Sequence, residues 1–225
     1  MAFLNDITMY WDEHYLTDDE RIHLRITANY ICDFYHRMLA SYKPAKTSRI
    51  CIHLNTEHLS KPNYFGSICQ INGHFEADKF FPGSKHEQYK YLVDLIHESV
   101  LRTVGIFNWN DKPFVNAYET VCSSNFLFAL DYPLKKSKDG KKCAQIIINK
   151  TELKTTIVLS LTIENKTDKI ELLESRNSFW YDPAYSVAKA AKWLGNDKFG
   201  AFNQKNGKSL FYSLTENSIV SEWNK

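Results

Sequence analysis

The sequence predicts an α+β fold, with helices mainly in the first half packed on a mostly antiparallel sheet built largely from the second half. Three observations carry the prediction. Two long segments before residue 105 show helical periodicity with capping residues, the chain after Asn125 breaks into short alternating runs separated by turn residues, and no regular βαβ alternation is present. No Pro/Gly/Ser-rich linker interrupts the chain, so the expectation is a single globular domain over 1–225, helix-rich over 1–124 and strand-rich over 125–225.

The elements follow in order. "TDDERIHLRITANYICDFYHRML" offers Thr17 as an N-cap, three acids in the first turn and Arg37 near the end, as a helix dipole favours. "SRICIHLN" alternates Ile50, Ile52 and Leu54 with Cys51 and His53, which predicts a strand. In "YFGSICQINGHFEADKFF", Asn72-Gly73 lies between two apolar arms, and both residues accept positive φ, so a hairpin is predicted there. Ser84 caps a helix running to about Thr103, and another begins near Asp111 with Pro113 in its first turn.

From Asn125 the strands are "NFLFALDY", "KCAQIIINK", "LKTTIVLSLTIEN" and "DKIELLES", with turns at Lys138-Asp139-Gly140 and Asn165-Lys166. In the third, Ile157, Leu159, Leu161 and Ile163 share one face, opposite Thr156, Ser160 and Thr162. "PAYSVAKAAKWLG" predicts a helix with Asp182 as N-cap, Pro183 at its first position and Gly195 at its end. "KFGAFNQKNGKSLFYSL" predicts a closing hairpin.

Composition narrows the function classes. With 44% hydrophobic and 14% aromatic residues the chain buries a substantial core, and a net charge of +2 from 28 basic and 26 acidic residues is no global basic excess. The start has acids where a secretory signal has a basic region, and no run approaches ~20 apolar residues. A soluble cytoplasmic protein with no membrane partner is expected. Five scattered cysteines without a C-x-x-C pair read as reduced thiols.

Catalytic motifs are sparse. There is no G-x-S-x-G elbow, phosphate-binding loop or dinucleotide fingerprint, and eight glycines leave little material for a phosphate cradle. His97-Glu98 lies in a helix whose periodicity sends the two side chains apart, with Leu101 where a zinc helix needs its second histidine; Glu98 is expected to pair with Arg102 instead. All eight histidines fall in the first 97 residues. A metal-independent hydrolase or nuclease is therefore the enzymatic alternative, with His53, His58 and His74 as its acid and base. No metal or cofactor is predicted.

The leading expectation is a non-enzymatic, protein-binding module, in concrete form a toxin-neutralising, immunity-type protein that covers a basic toxin or nuclease domain. Residues 1–33 hold seven acids against two arginines, and Asp12, Glu13, Asp18, Asp19 and Glu20 are the candidate partner-binding acids. Trp180 and Tyr181 are the candidate aromatic anchors, because Phe179-Trp180-Tyr181 in succession cannot all face one core from a strand. "KKSKDGKK" supports a weaker alternative, a lysine-rich hairpin touching nucleic-acid phosphates.

Overall fold

The structure, a computed structural model, describes residues 4–11, 16–55, 61–203 and 208–222. It is α+β as the sequence predicts, with helices mostly in the first half and antiparallel strands mostly in the second. The chain divides into two compact units, Met1–Leu127 and Phe128–Lys225. Among the described residues, no helix is long and apolar enough to cross a membrane.

The first unit runs β1 (Asp6–Trp11), α1 (Asp18–Met38), β2 (Arg49–Asn55), β3 (Asn63–Phe65), β4 (Ile68–His74), α2 (Ala77–Phe80), α3 (Lys85–Phe107) and α4 (Lys112–Ser123). Both long helices open on capping boxes. The Thr17 side chain accepts from Glu20 N while the Glu20 carboxylate accepts from Thr17 N, and Ser84 and Glu87 repeat the arrangement. These early helices pack on a sheet of their own unit, in the order β1-β2-β4-β3, with α1 against β1 and α3 against β4. The β1–β2 and β2–β4 pairs are parallel and β3–β4 is antiparallel.

A parallel strand is buried on both faces, which explains why β1 escapes a search for alternation: Asp6, Ile7, Thr8 and Met9 are all buried. Its register is set by a charge pair. Arg49 donates from Nε and Nη2 to the two oxygens of Asp6 at 2.6 and 2.8 Å, directly across the Asp6–Arg49 pairing.

The predicted hairpin at Asn72-Gly73 is corrected by the structure. Both residues lie inside β4, and the reversal comes earlier, at Gly66 with φ +61. Gly73 serves close approach instead: a Cβ there would sit 2.7 Å from Leu95 Cδ2 and 3.0 Å from Ile52 Cγ2, so its bare backbone lets α3 lie on the sheet.

The second unit contains β5 (Phe128–Asp131), β6 (Lys135–Lys136), β7 (Lys142–Lys150), β8 (Lys154–Ile163), β9 (Lys166–Arg176), a 3-10 turn (Phe179–Tyr181), α5 (Pro183–Ala190), β10 (Lys192–Leu194), β11 (Lys198–Asn203), β12 (Lys208–Ser213) and β13 (Ser218–Ser221). One antiparallel sheet has the order β5-β7-β8-β9 with β6 also on β7, and the other the order β10-β11-β12-β13. Ala144, Ile146 and Ile148 pair across β7–β8 with Leu161, Leu159 and Ile157, and all six are buried. The β8–β9 turn is made by Glu164 and Asn165, φ +49 and +67, the two left-handed residues whose twist suits a two-residue hairpin. Helix α5 packs against β7, β8 and β11.

Gly195 does not end that helix. The chain leaves α5 at Ala191, which is extended (φ −57, ψ 134), and Gly195, φ +67, turns β10 into β11. The β11–β12 pairing matches the predicted hairpin, while its Asn206-Gly207 tip lies outside the described residues.

Two glycines of similar sequence appearance are expected to behave oppositely. Gly73→Ala will destabilise the protein by about 1–3 kcal/mol through overpacking. Gly105→Ala, on α3 with nothing within 4 Å of the new methyl group, will stabilise it by about 1 kcal/mol. Urea unfolding midpoints at constant m-value read both.

Candidate binding surface

The aromatic run Phe179–Trp180–Tyr181 is neither strand nor helix interior. It forms a one-turn 3-10 helix between β9 and α5. Phe179 has φ +50, a left-handed conformation that a bulky residue adopts only when its surroundings hold it there. Tyr181 is 73% exposed, Phe179 and Trp180 are half-buried, and the Trp180 ring centroid lies 6.1 Å from that of Phe179 and 5.7 Å from that of Tyr181. The Trp180 Nε1 is buried without a hydrogen-bond partner among the described residues, a second local cost at the same turn.

What offsets those costs lies directly beneath. Lys150, at the end of β7, and Asp182, after the turn, have fully buried side chains, with Nζ 3.4 Å from Oδ2. Lys150 Nζ donates to the carbonyl of Phe179 at 3.0 Å and to Tyr185 Oη at 2.9 Å, and lies 4.5 Å from the Tyr185 ring centroid. The Asp182 carboxylate accepts from Thr155 Oγ1 at 2.5 Å, from Ala184 N at 2.9 Å and from Ser178 N at 3.3 Å. Asn177 completes the hold, its Oδ1 accepting from Phe179 N at 2.7 Å and its Nδ2 donating to the Thr151 carbonyl at 2.7 Å. The turn is thus preorganised: its backbone carries bonds from β7, α5 and the β9 end before any partner arrives.

Sequence reasoning identified Asp182 and Pro183 as the helix start, and the structure agrees. It missed Lys150, Thr155 and Asn177. A signal was present, because Lys150 continues the inward series Ala144, Ile146, Ile148 at a spacing of two, and a lysine at an inward position requires a buried acceptor.

The acidic start of α1 divides into two kinds of residue. Glu20 is committed to the capping box, and the Thr17 backbone N–H and hydroxyl hold its carboxyl below the usual range. Asp18, whose side chain is 84% exposed, and Asp19 face solvent, with Arg21 bonded to Asp18. Asp12 and Glu13 lie outside the described residues.

The histidines are partly gathered. His53 stands opposite Asn72 in the β2–β4 pairing and His74 opposite Asn55, so they share a sheet face one diagonal step apart; His58 lies outside the described residues. His53 stacks on Tyr10 with centroids 5.7 Å apart, whereas His74 lies 3.8 Å from Glu76 and lines a cleft of about 260 Å³ with Tyr91, Asp94, Glu98 and Arg102. Among the described residues, no group of three or more histidine, cysteine, aspartate or glutamate side chains is arranged to hold a metal ion.

His97 and Glu98 diverge as their helical phase requires. Glu98 is exposed, and Arg102, its expected partner, instead donates to the Asn72 carbonyl at 2.5 Å, because β4 runs alongside α3. The His97 ring stacks on Tyr118 at 4.2 Å. Tyr35 Oη donates to the Phe114 carbonyl at 2.9 Å, so at its 3.0 Å contact with His97 the Nδ1–H is the donor. No protein-family model matches the chain, and neither a search of curated proteins nor one of solved structures finds a match.

Two predictions follow from the buried polar groups. Lys150→Met leaves Asp182 buried without its cation, and an expected loss of about 3–5 kcal/mol should appear in chemical denaturation. Removing both charges together, as Lys150→Met with Asp182→Asn, should cost less than the sum of the single changes.

Burial holds the His97 pKa below its ordinary value, against the opposing charges of Asp94, Glu98 and Glu119. Burial and then Arg37 do the same at His36, against the Leu4 carbonyl, Asp33 and Asp6. The folded state therefore binds fewer protons than the unfolded one. Their contribution is complete above about pH 6.5 and is lost as pH falls through that value towards the folded pKa. Unfolding free energies measured from pH 7.5 to 5.5 should decline, and His97→Gln should flatten the decline.

Proposed function

We propose that the protein is a protein-binding module that anchors its partner on the Phe179–Trp180–Tyr181 turn. One observation carries the reading: an aromatic turn that exposes Tyr181 and has a left-handed Phe179 is locked by a fully buried Lys150–Asp182 pair. Large aromatic side chains with little conformational freedom left to lose are the usual energetic centre of a protein interface. Asp18 and Asp19 add a solvent-facing acidic pair suited to steering a basic partner. A toxin-neutralising protein, in which the aromatic turn or the acidic pair covers the active-site face of a basic toxin or nuclease domain, is the concrete form proposed.

The products of neighbouring genes are the partners to test, by co-expression and titration calorimetry with the full chain. Tyr181→Ala is expected to weaken binding by about 2 kcal/mol, the scale of an interface anchor, with an unchanged melting temperature. Trp180→Ala should lower both affinity and melting temperature, because its ring is half-buried. Asp18→Lys with Asp19→Lys should slow association and reduce its salt dependence while leaving the Glu20 capping box intact. A complex whose affinity is indifferent to Tyr181→Ala overturns the anchor assignment.

A further inference from the structure

The lysine-rich turn of 135–142 does not stand alone. Asp139 N donates to Asn196 Oδ1 at 3.0 Å, and Lys142 Nζ donates to the Asn196 carbonyl at 2.9 Å and lies 3.6 Å from Asp197 Oδ1. Trp193 Nε1 donates to the Lys135 carbonyl at 2.8 Å, and Lys135 Nζ to the carbonyl of Ala191. Two distant turns are thereby joined into one end of the second unit, with Lys135 and Lys142 spent as struts.

The remaining lysines face solvent. Lys136, Lys138 and Lys141 are exposed on the first turn, and Lys192 and Lys198 on the second. Lys192 pairs with Gly200 across β10–β11, so Lys192 and Lys198 are diagonal neighbours on one sheet face, and Phe202, 50% exposed, continues that face two residues beyond Gly200. The two carboxylates of these turns are already committed: Asp139 accepts from Ser137 Oγ at 2.6 Å and from Lys141 N at 3.2 Å, and Asp197 faces Lys142. The charge is also segregated along the chain, with sixteen basic and eleven acidic residues from Phe128 onward against twelve and fifteen before it.

We propose that this end of the second unit binds single-stranded nucleic acid, with phosphates on Lys138, Lys141, Lys192 and Lys198 and an unpaired base on Phe202. Lysines act on phosphates as point charges, and without an arginine fork they carry no base or sequence preference. An exposed ring on the same face supplies what distinguishes a single strand from a duplex, a surface on which a free base stacks. Lys198 lies four residues before Phe202 on β11, roughly 13 Å at about 3.3 Å per residue, and Lys192, opposite Gly200, lies nearer, so the surface is read along an extended strand.

Fluorescence anisotropy of the full chain with a labelled mixed-sequence single-stranded DNA of about 20 nucleotides, and with its duplex, tests this. The expected slope of log affinity against log salt is about −3, from roughly −0.7 per phosphate at four lysines. Lys138→Glu with Lys141→Glu, and separately Lys192→Glu with Lys198→Glu, should each weaken single-strand binding at least about tenfold. Lys166→Glu with Lys169→Glu, the same charge change on exposed β9, should change it less than about twofold. Phe202→Ala should weaken single-strand binding about tenfold and duplex binding hardly at all. Thermal melts establish that each variant is folded. The proposal is overturned by absence of binding at low salt, by equal weakening in the β9 control, by Phe202→Ala without effect, or by stronger lysine-dependent binding to polyglutamate or phosphatidylserine vesicles than to DNA.

Discussion

The second unit depends on a buried ion pair. Burying an ammonium and a carboxylate is expensive, and their mutual attraction offsets the cost only when the remaining donors and acceptors are also satisfied. Here they are: Lys150 reaches the Phe179 carbonyl and Tyr185, and Asp182 takes a hydroxyl and two backbone N–H groups. The pair joins the end of β7, the start of β8, the aromatic turn and the first turn of α5. An apolar pair of the same volume would bury as much surface, but it would not dictate where the Phe179 carbonyl points.

That constraint makes α5 an axis of the unit. Asp182 caps its first turn, and Lys135 closes on the Ala191 carbonyl just past its last residue. Eight residues at 1.5 Å each give a helix of about 12 Å, so the aromatic turn and the lysine-bearing end sit at opposite ends of one short, tightly held element. Between the two ends, Ala184, Val187 and Ala188 hold the helix by apolar packing.

The first unit solves a different problem. Strand β1 is buried on both faces over Asp6–Met9, so its register is not set by an apolar-in, polar-out alternation, and the Asp6–Arg49 pair supplies a specific match across β1 and β2. Gly73 then allows α3 to approach the sheet. His97, bonded to Tyr35 and stacked on Tyr118, adds a polar, titratable element among its helices.

The sequence by itself determined what neighbouring residues decide among themselves. Thr17, Ser84 and Asp182 announce helix starts because a cap bonds backbone two or three residues away, and the alternation of Ile157, Leu159 and Leu161 announces a strand because period two is intrinsic to extended chain. Tertiary structure alone decided which distant groups meet. Asn72-Gly73 carries the residues of a tight turn, yet the nearness of Leu95 and Ile52 makes it a point of close packing within a strand. Glu98 and Arg102 have the spacing of a helix pair, yet a carbonyl on the adjacent strand captures the arginine. The aromatic turn was visible as three letters, but its rigidity comes from Lys150, some thirty residues earlier. The lysine-rich turn was visible too, but its union with Asn196 and Asp197 was not, because local propensity carries no information about which loops a folded core will bring together.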